Sequence, residues 1–149
     1  MSGGSLTTAN QTVLWEFLQE RIGIPWSTDF IALGRVAEGK LIGVVGYNNF
    51  TGSSCHMHMA GDGGRWMSRE FLREAFRYPF GTLDLTMVFG IVPSGNIRAL
   101  GIDLKLGFRE LIFIPGAHPD GGIHILQMMR GDCRWLRKPN GKEVYPQAA

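Results

Sequence analysis

Apolar residues recur along this chain at two different spacings, and the alternation between those spacings outlines a fold. Around Thr12–Arg21, Val13, Leu14, Phe17, Leu18 and Ile22 share one helical face, with Glu16, Gln19 and Glu20 outside. Asn10 is placed to cap this helix, and Gly23 and Pro25 end it. Apolar runs then follow at Ile31–Val36, Leu41–Tyr47 and Ser54–Ala60. Turns at Glu38–Lys40 and Asn48–Gly52 separate them. Three strands in series with short turns predict an antiparallel meander.

The second half alternates more finely. A glycine-rich stretch, Gly61–Arg65, leads into a helix predicted over Trp66–Tyr78. Met67, Phe71, Leu72, Ala75 and Phe76 lie on its buried face, and Pro79 stops it. Asp84–Val92 contains the next strand, ended by Pro93. Ser94-Gly95-Asn96 turns the chain and offers a cap. A helix over Asn96–Leu106 follows, closed by Gly107. Phe108–Ile114 and Ile123–Arg130 form a final hairpin around the Pro115–Gly122 turn. Strand, capped turn, helix, glycine stop and strand is the skeleton of an α/β unit whose helix crosses a sheet.

Composition narrows the class. The chain has 149 residues, 44% hydrophobic and 19% charged, which fits one globular domain. Residues 12–131 are expected to form it, with a flexible tail over 1–11 and a polar, basic tail over 132–149. A net charge of +2 is too mild to argue for nucleic acid. Arg69, Arg73 and Arg77 make a basic stripe, but Glu70 and Glu74 interleave with it and favour a solvated helix face. Cys55 and Cys133 have no partner at metal-ligand spacing and read as free thiols of a reducing cytoplasm. No signal peptide or membrane span is expected, so the location expected is cytoplasmic.

Two features carry chemistry. The first is the glycine loop with Arg65, where backbone N–H groups and a helix start would suit an anion; a plain glycine turn is the other reading. The second is the pair His56 and His58, which share one face of a strand. No third ligand accompanies them, so no metal is expected. Either imidazole is a candidate general base, or part of a polar pocket wall. Tyr47 reads as a strand aromatic, and His118 and His124 as turn and hairpin residues.

Taken together, Asn96, Ala99 and Lys105-Leu106-Gly107-Phe108 resemble the Asn…Ala…Lys-Leu-Gly-Phe signature of the Gcn5-related N-acetyltransferase (GNAT) superfamily. Gly61–Ser68 sits where that family has its pyrophosphate loop, and Phe71–Phe80 is similar to the helix after it. The resemblance covers roughly residues 12 to 130. It implies a mixed, mostly antiparallel sheet with flanking helices and a central parallel strand pair that splays apart. It further implies acetyl-CoA as co-substrate. His58, Met59 and Ala60 would face the pantetheine arm. Gly61, Asp62, Gly63, Gly64, Arg65, Trp66, Met67 and Ser68 would hold the pyrophosphate, and Asn96 would flank the thioester. Many members carry a Tyr acid four residues before the motif glycine. Asp103 stands there in this chain and becomes the candidate acid, with His56 or His58 as the base. The implied reaction is direct acetyl transfer to an amine on a small molecule or protein. The alternative is a non-catalytic acyl-CoA-binding or protein-interaction module. A homodimer is among the expected assemblies.

Overall fold

The computed structural model describes residues 4–136. It is a seven-stranded sheet with helices on both faces. The elements run β1 (Gly4–Thr7), α1 (Gln11–Ile22), β2 (Ile31–Ala37), β3 (Lys40–Asn48), β4 (Ser54–Gly61), α2 (Arg69–Arg77), β5 (Met87–Pro93), α3 (Ile97–Leu106), β6 (Arg109–Pro115) and β7 (Gly122–Met129). The strand order is β1-β2-β3-β4-β5-β7-β6. Every neighbouring pair is antiparallel except β4 and β5.

Two stretches depart from expectation. Gly4–Thr7, expected within a flexible tail, forms β1 and pairs with β2 from Gly4↔Ala37 to Thr7↔Gly34. Helix α2 begins at Arg69 rather than Trp66, because the Ser68 side chain caps it by accepting from the Phe71 N–H at 3.1 Å. Of the basic segment 132–149, Asp132 ends one short 3-10 turn, Arg134–Leu136 form another, and residues 137–149 lie outside the described residues.

The alternation of the central strands sorts side chains between two layers. Val45, Tyr47, Cys55 and Met57 pack with Phe71, Leu72, Ala75 and Phe76 of α2. Val44 and Ala60 pack instead with Leu14, Phe17 and Leu18 of α1. Tyr47 is buried and donates to the Ala75 carbonyl at 2.5 Å, so it is a core residue. Cys55 and Cys133 are both buried. Strand β6 forms an edge, and its run Leu111–Ile114 is 39 to 53% exposed.

The parallel pair is short. β4 and β5 are in register only at Ser54↔Met87, Cys55↔Val88 and His56↔Phe89. Beyond His56, β4 stays paired to β3 as far as Gly61↔Gly43, while β5 stays paired to β7 as far as Pro93↔Ile123. The two strands therefore part in the middle of the sheet. The main-chain groups of β4 after His56 that face β5 lose their partner strand there, a condition a buried backbone meets only with another ligand or with water.

Candidate active site

The gap between β4 and β5 opens into a cleft of about 420 Å³. Its walls come from both sides of the sheet. His56 and His58 alternate with Met57 on β4, and so lie on the α1 face together with Ala60. Asp103 comes from the opposite face. It extends from α3 over Gly90, where an added Cβ would sit 3.0 Å from its Oδ2. Gly90 shares a face of β5 with Val88 and Val92, which belong to the α2-side core. A closed sheet would keep these three titratable groups apart. The parted strands let all three line one space.

Each group has a defined state. The His58 Nε2 lies 2.8 Å from the Asn48 Oδ1, and the Asn48 amide nitrogen lies 3.3 Å from the Ser27 hydroxyl. Asn48 is itself buried. An amide oxygen only accepts, so His58 carries its proton on Nε2 and keeps a lone pair on Nδ1. Burial, with the neighbouring His56 adding to it, pushes this imidazole down to about 4, so it is neutral near pH 7. His56 shows the same tautomer, but its basic nitrogen is occupied. The Asn49 amide nitrogen donates to its Nδ1 at 3.1 Å, which leaves the proton on Nε2. Burial lowers its pKa as well. Burial acts on Asp103 in the other sense and pushes its carboxyl from 3.8 up to about 7. The position without a tyrosine thus holds a carboxyl that is still substantially protonated near neutral pH.

A second cavity of about 240 Å³ adjoins the first and shares Ile22, Met59, Asn96 and Ala99 with it. It lies between the end of β4 and the first turns of α3. Of the anticipated loop, Gly61, Asp62 and Trp66 line this cavity, with Met59 and Ala60 before them. Gly63, Gly64, Arg65, Met67 and Ser68 line neither cavity. Arg65, expected to serve a phosphate, reaches Glu38 at 3.8 Å. Met67 packs against the core, and Ser68 caps α2.

The charges at this end come from residues that sequence reasoning passed over. Arg21, in the last turn of α1, grips Asp62 with two bonds of 2.8 and 2.9 Å. Arg98, in the first turn of α3, donates to the Gly63 carbonyl at 3.2 Å. Only the pairing of distant segments brings α1 here, so no local signal marked Arg21. Arg98 sat two residues after the helix cap and was legible as a cation near a helix start. His118, read as a turn residue, also lines the main cleft.

Trp66 accounts for the glycines. It is 1% exposed, and a Cβ on Gly61 would stand 2.2 Å from its ring. Gly43 would meet it at 2.7 Å. The indole therefore fills the space under the loop, and Gly61 and Gly43 are small so that it fits. Its Nε1–H is buried and has no acceptor among the described residues. An orphaned donor on the cavity wall fits an acceptor-rich ligand such as an amide or a phosphate. Asn96 caps α3 by accepting from the Ala99 N–H at 3.1 Å, which aims the helix start at the same space. Among the described residues no group of three or more His, Cys, Asp or Glu is arranged to hold a metal ion. No described helix is long and apolar enough to cross a membrane.

No protein-family model and no curated protein matches the sequence. Solved structures do match. A mutant of the spermidine N-acetyltransferase SpeG from Vibrio cholerae aligns with a TM-score of 0.71 at 15% identity, covering 90% of this chain and 96% of that one. The same enzyme in complex with CoA and spermine gives a TM-score of 0.70 at 14% identity, covering 91% and 99%. A probable acetyltransferase gives 0.65 at 13% identity, covering 85% and 93%. The parted parallel pair, the capped helix that follows it and these alignments agree: the chain has the fold of the GNAT acetyltransferases.

Proposed function

We propose that this protein transfers the acetyl group of acetyl-CoA directly to a primary amine. One observation carries the reading. The parallel strands part after three register pairs, and His58 and Asp103 line the gap from opposite faces of the sheet. A thioester held between them would have a proton acceptor on one side and a proton donor on the other.

The roles follow from the protonation states. Unpaired N–H groups on the free edge of β4 polarise the thioester carbonyl. His58 accepts, at Nδ1, the proton that the amine nitrogen sheds once it has bonded to the carbonyl carbon. That nitrogen is far more acidic after attack than before, so a weakly basic imidazole suffices. Asn48 holds His58 in the required tautomer. His56 is a wall residue, since Asn49 occupies its basic nitrogen. Asp103 delivers its proton to the sulfur as the C–S bond breaks, giving the free thiol of CoA and an amide. Solvent then resets both groups. Holding both reactants in one cleft lowers the barrier without a covalent enzyme intermediate.

The phosphate end falls to Arg98, Arg21 and the loop backbone after Gly61, with Asn96 beside the arm. Assembly through β6 is part of the same reading, because its exposed apolar run is an edge open to a second copy.

The test is release of CoA thiol across a panel of amines, corrected for hydrolysis, in the wild type and in His58→Gln. Turnover with a loss of about 10²-fold or more in kcat/KM for His58→Gln supports the reading. Tight acetyl-CoA binding without thiol release from any amine makes the protein an acyl-CoA-binding module instead.

A further inference from the structure

The acceptor side of the cleft has a composition of its own. Ile22, Ile24 and Pro25 form one wall at the end of α1 and the connection that follows it. Ile91 of β5 faces them, and Ile123 of β7 extends that side. The polar groups between them are amides and imidazoles: Asn48 at the end of β3 and Asn49 just after it, His56 and His58 from β4, Asn96 capping α3, and His118 from the β6–β7 turn. Asp103 is the sole carboxylate among the described residues that line this space.

The other acids nearby lie outside its lining. Asp62 is held by Arg21 through two bonds. Glu110 is 2.9 Å from the His124 Nδ1. The Asp120 N–H donates to the His118 Nδ1 at 3.1 Å, and its exposed carboxyl lies on the turn, outside the cleft lining. Asp29 accepts from the Phe50 N–H at 3.2 Å and does not line the cleft.

A second cationic centre on the acceptor would need a carboxylate beside it, and the single one among the described residues that line this wall, Asp103, is the proton donor of the transfer step. Branched apolar surface on three separate elements rewards an apolar body. It also favours the uncharged form of the attacking nitrogen, the form that reacts.

We propose that the acceptor is a primary amine carried on an uncharged apolar body, an arylalkylamine or branched alkylamine, and not a polyamine. The proposal rests on the acetyl-transfer reading for the place of the reacting amine, but binding tests it separately from turnover.

The experiment compares 2-phenylethylamine, isopentylamine and spermidine by calorimetry on protein saturated with CoA, and by thiol release with acetyl-CoA. The expected result is binding of 2-phenylethylamine at least tenfold tighter than spermidine, with kcat/KM in the same order. Ile91→Asp and Ile123→Asp, each checked for folding by circular dichroism, should each narrow or invert that preference. The two sit on different strands, so loss of one variant to misfolding leaves the other to read the wall. Equal or tighter binding of spermidine by the wild type overturns the proposal, as does binding of none of the three amines. If no amine releases thiol, the transfer reading falls, and the order of binding still decides the chemical class that the cleft takes.

Discussion

Two strand-to-helix junctions flank the cleft, and they are built in opposite ways. Between β4 and α2, residues 62–68 form a long connection whose shape is set by one large side chain beneath it. Between β5 and α3, residues 94–96 make a short turn set by hydrogen bonds. Asn96 accepts from the Ala99 N–H, and Ser94 accepts from the Gly122 N–H at 3.0 Å and donates to the Asp120 carbonyl at 3.1 Å. The first junction depends on packing and the second on directional bonds. Close packing is sensitive to a change of even one methyl group, whereas a capping bond is worth about 1 kcal/mol. The difference teaches where each wall of the site is vulnerable.

Trp66→Ala should show this most strongly. The indole touches Gly43, Gly61 and Phe71, with the Phe71 ring centroid 6.0 Å away. Removing it leaves a cavity under the loop and should cost about 3–5 kcal/mol, read from urea unfolding. Gly61→Ala tests the same fit from the other side. Its new Cβ would collide with the ring at 2.2 Å, and the expected cost is about 1–3 kcal/mol. Acetyl-CoA affinity should fall in both. If either variant keeps wild-type stability, the loop is not shaped by packing and the contrast collapses.

The next effect belongs to the helix beyond the other junction and has the opposite sign. Asp103, on α3, has a folded pKa of about 7 against an ordinary 3.8. Between those values the unfolded chain ionises this carboxyl while the folded chain keeps its proton. The folded state then binds more protons, so stability falls as pH rises through the window and levels off above it. The separation sets a ceiling of about 4 kcal/mol, and partial water access should leave about half. Asp103→Asn removes the penalty, so at pH 8 the variant should be more stable by about 2 kcal/mol. It should also lose most of its thiol-release activity, along with the limb of the kcat/KM profile near pH 7. His58 contributes the reverse slope. Its pKa of about 4 lies below the usual 6.5, so acidification between those values favours the unfolded chain. A variant at Asp103 that is neither more stable at pH 8 nor less active would remove this group from the site chemistry.

Local bonding explains what was readable from residues alone. Asn10, Asn96 and Gly107 act within a few residues of themselves, so the helix ends they set were visible. The parted strand pair entered through the Asn96–Phe108 resemblance rather than through any spacing. Trp66, expected at the helix start, misled because local pattern does not reveal whether such a residue opens a helix or plugs the loop before it. Gly4–Thr7 carries one apolar side chain, and its strand state comes from pairing with β2 across the sheet. Gly4 even requires that pairing to be close, since a Cβ there would stand 2.6 Å from the Arg35 guanidinium. Arg21 and His118 reach the site through tertiary contacts that no local pattern encodes. The candidate acid and base were nameable as residue types, whereas their tautomers and shifted pKa values depend on Asn48, Asn49 and burial.

Asn96→Ala separates the junctions at a smaller scale. Loss of the cap should cost about 1 kcal/mol, lowering the midpoint of urea unfolding without changing its slope. Acetyl-CoA binding should weaken several-fold more than that stability loss explains, because the helix start faces the second cavity. Asn96→Asp keeps an acceptor and should restore stability. It should not restore acetyl-CoA affinity, since it adds negative charge where phosphate groups are expected. Recovery of both properties would reduce Asn96 to a cap.

The smallest expected effect tests whether the long junction has any electrostatic component at all. Asp62 and Arg21 form a bidentate pair, but their side chains are 45% and 30% exposed, and such pairs contribute about 0.2–1 kcal/mol. Asp62→Asn should therefore barely move the unfolding midpoint. Its effect on binding should be larger and positive. The Arg21 guanidinium is freed from its carboxylate, and a negative charge leaves the cavity that Arg98 shares. Acetyl-CoA should bind more tightly, with a steeper loss of affinity as salt is raised, because an additional cation now faces the phosphates. Dephospho-CoA compared with CoA then shows which phosphate gains. A change in stability larger than about 1 kcal/mol would mean that the ion pair, and not Trp66, holds the loop. Unchanged acetyl-CoA affinity would place the phosphates away from Arg21 and leave that end of the site to Arg98 and the loop backbone.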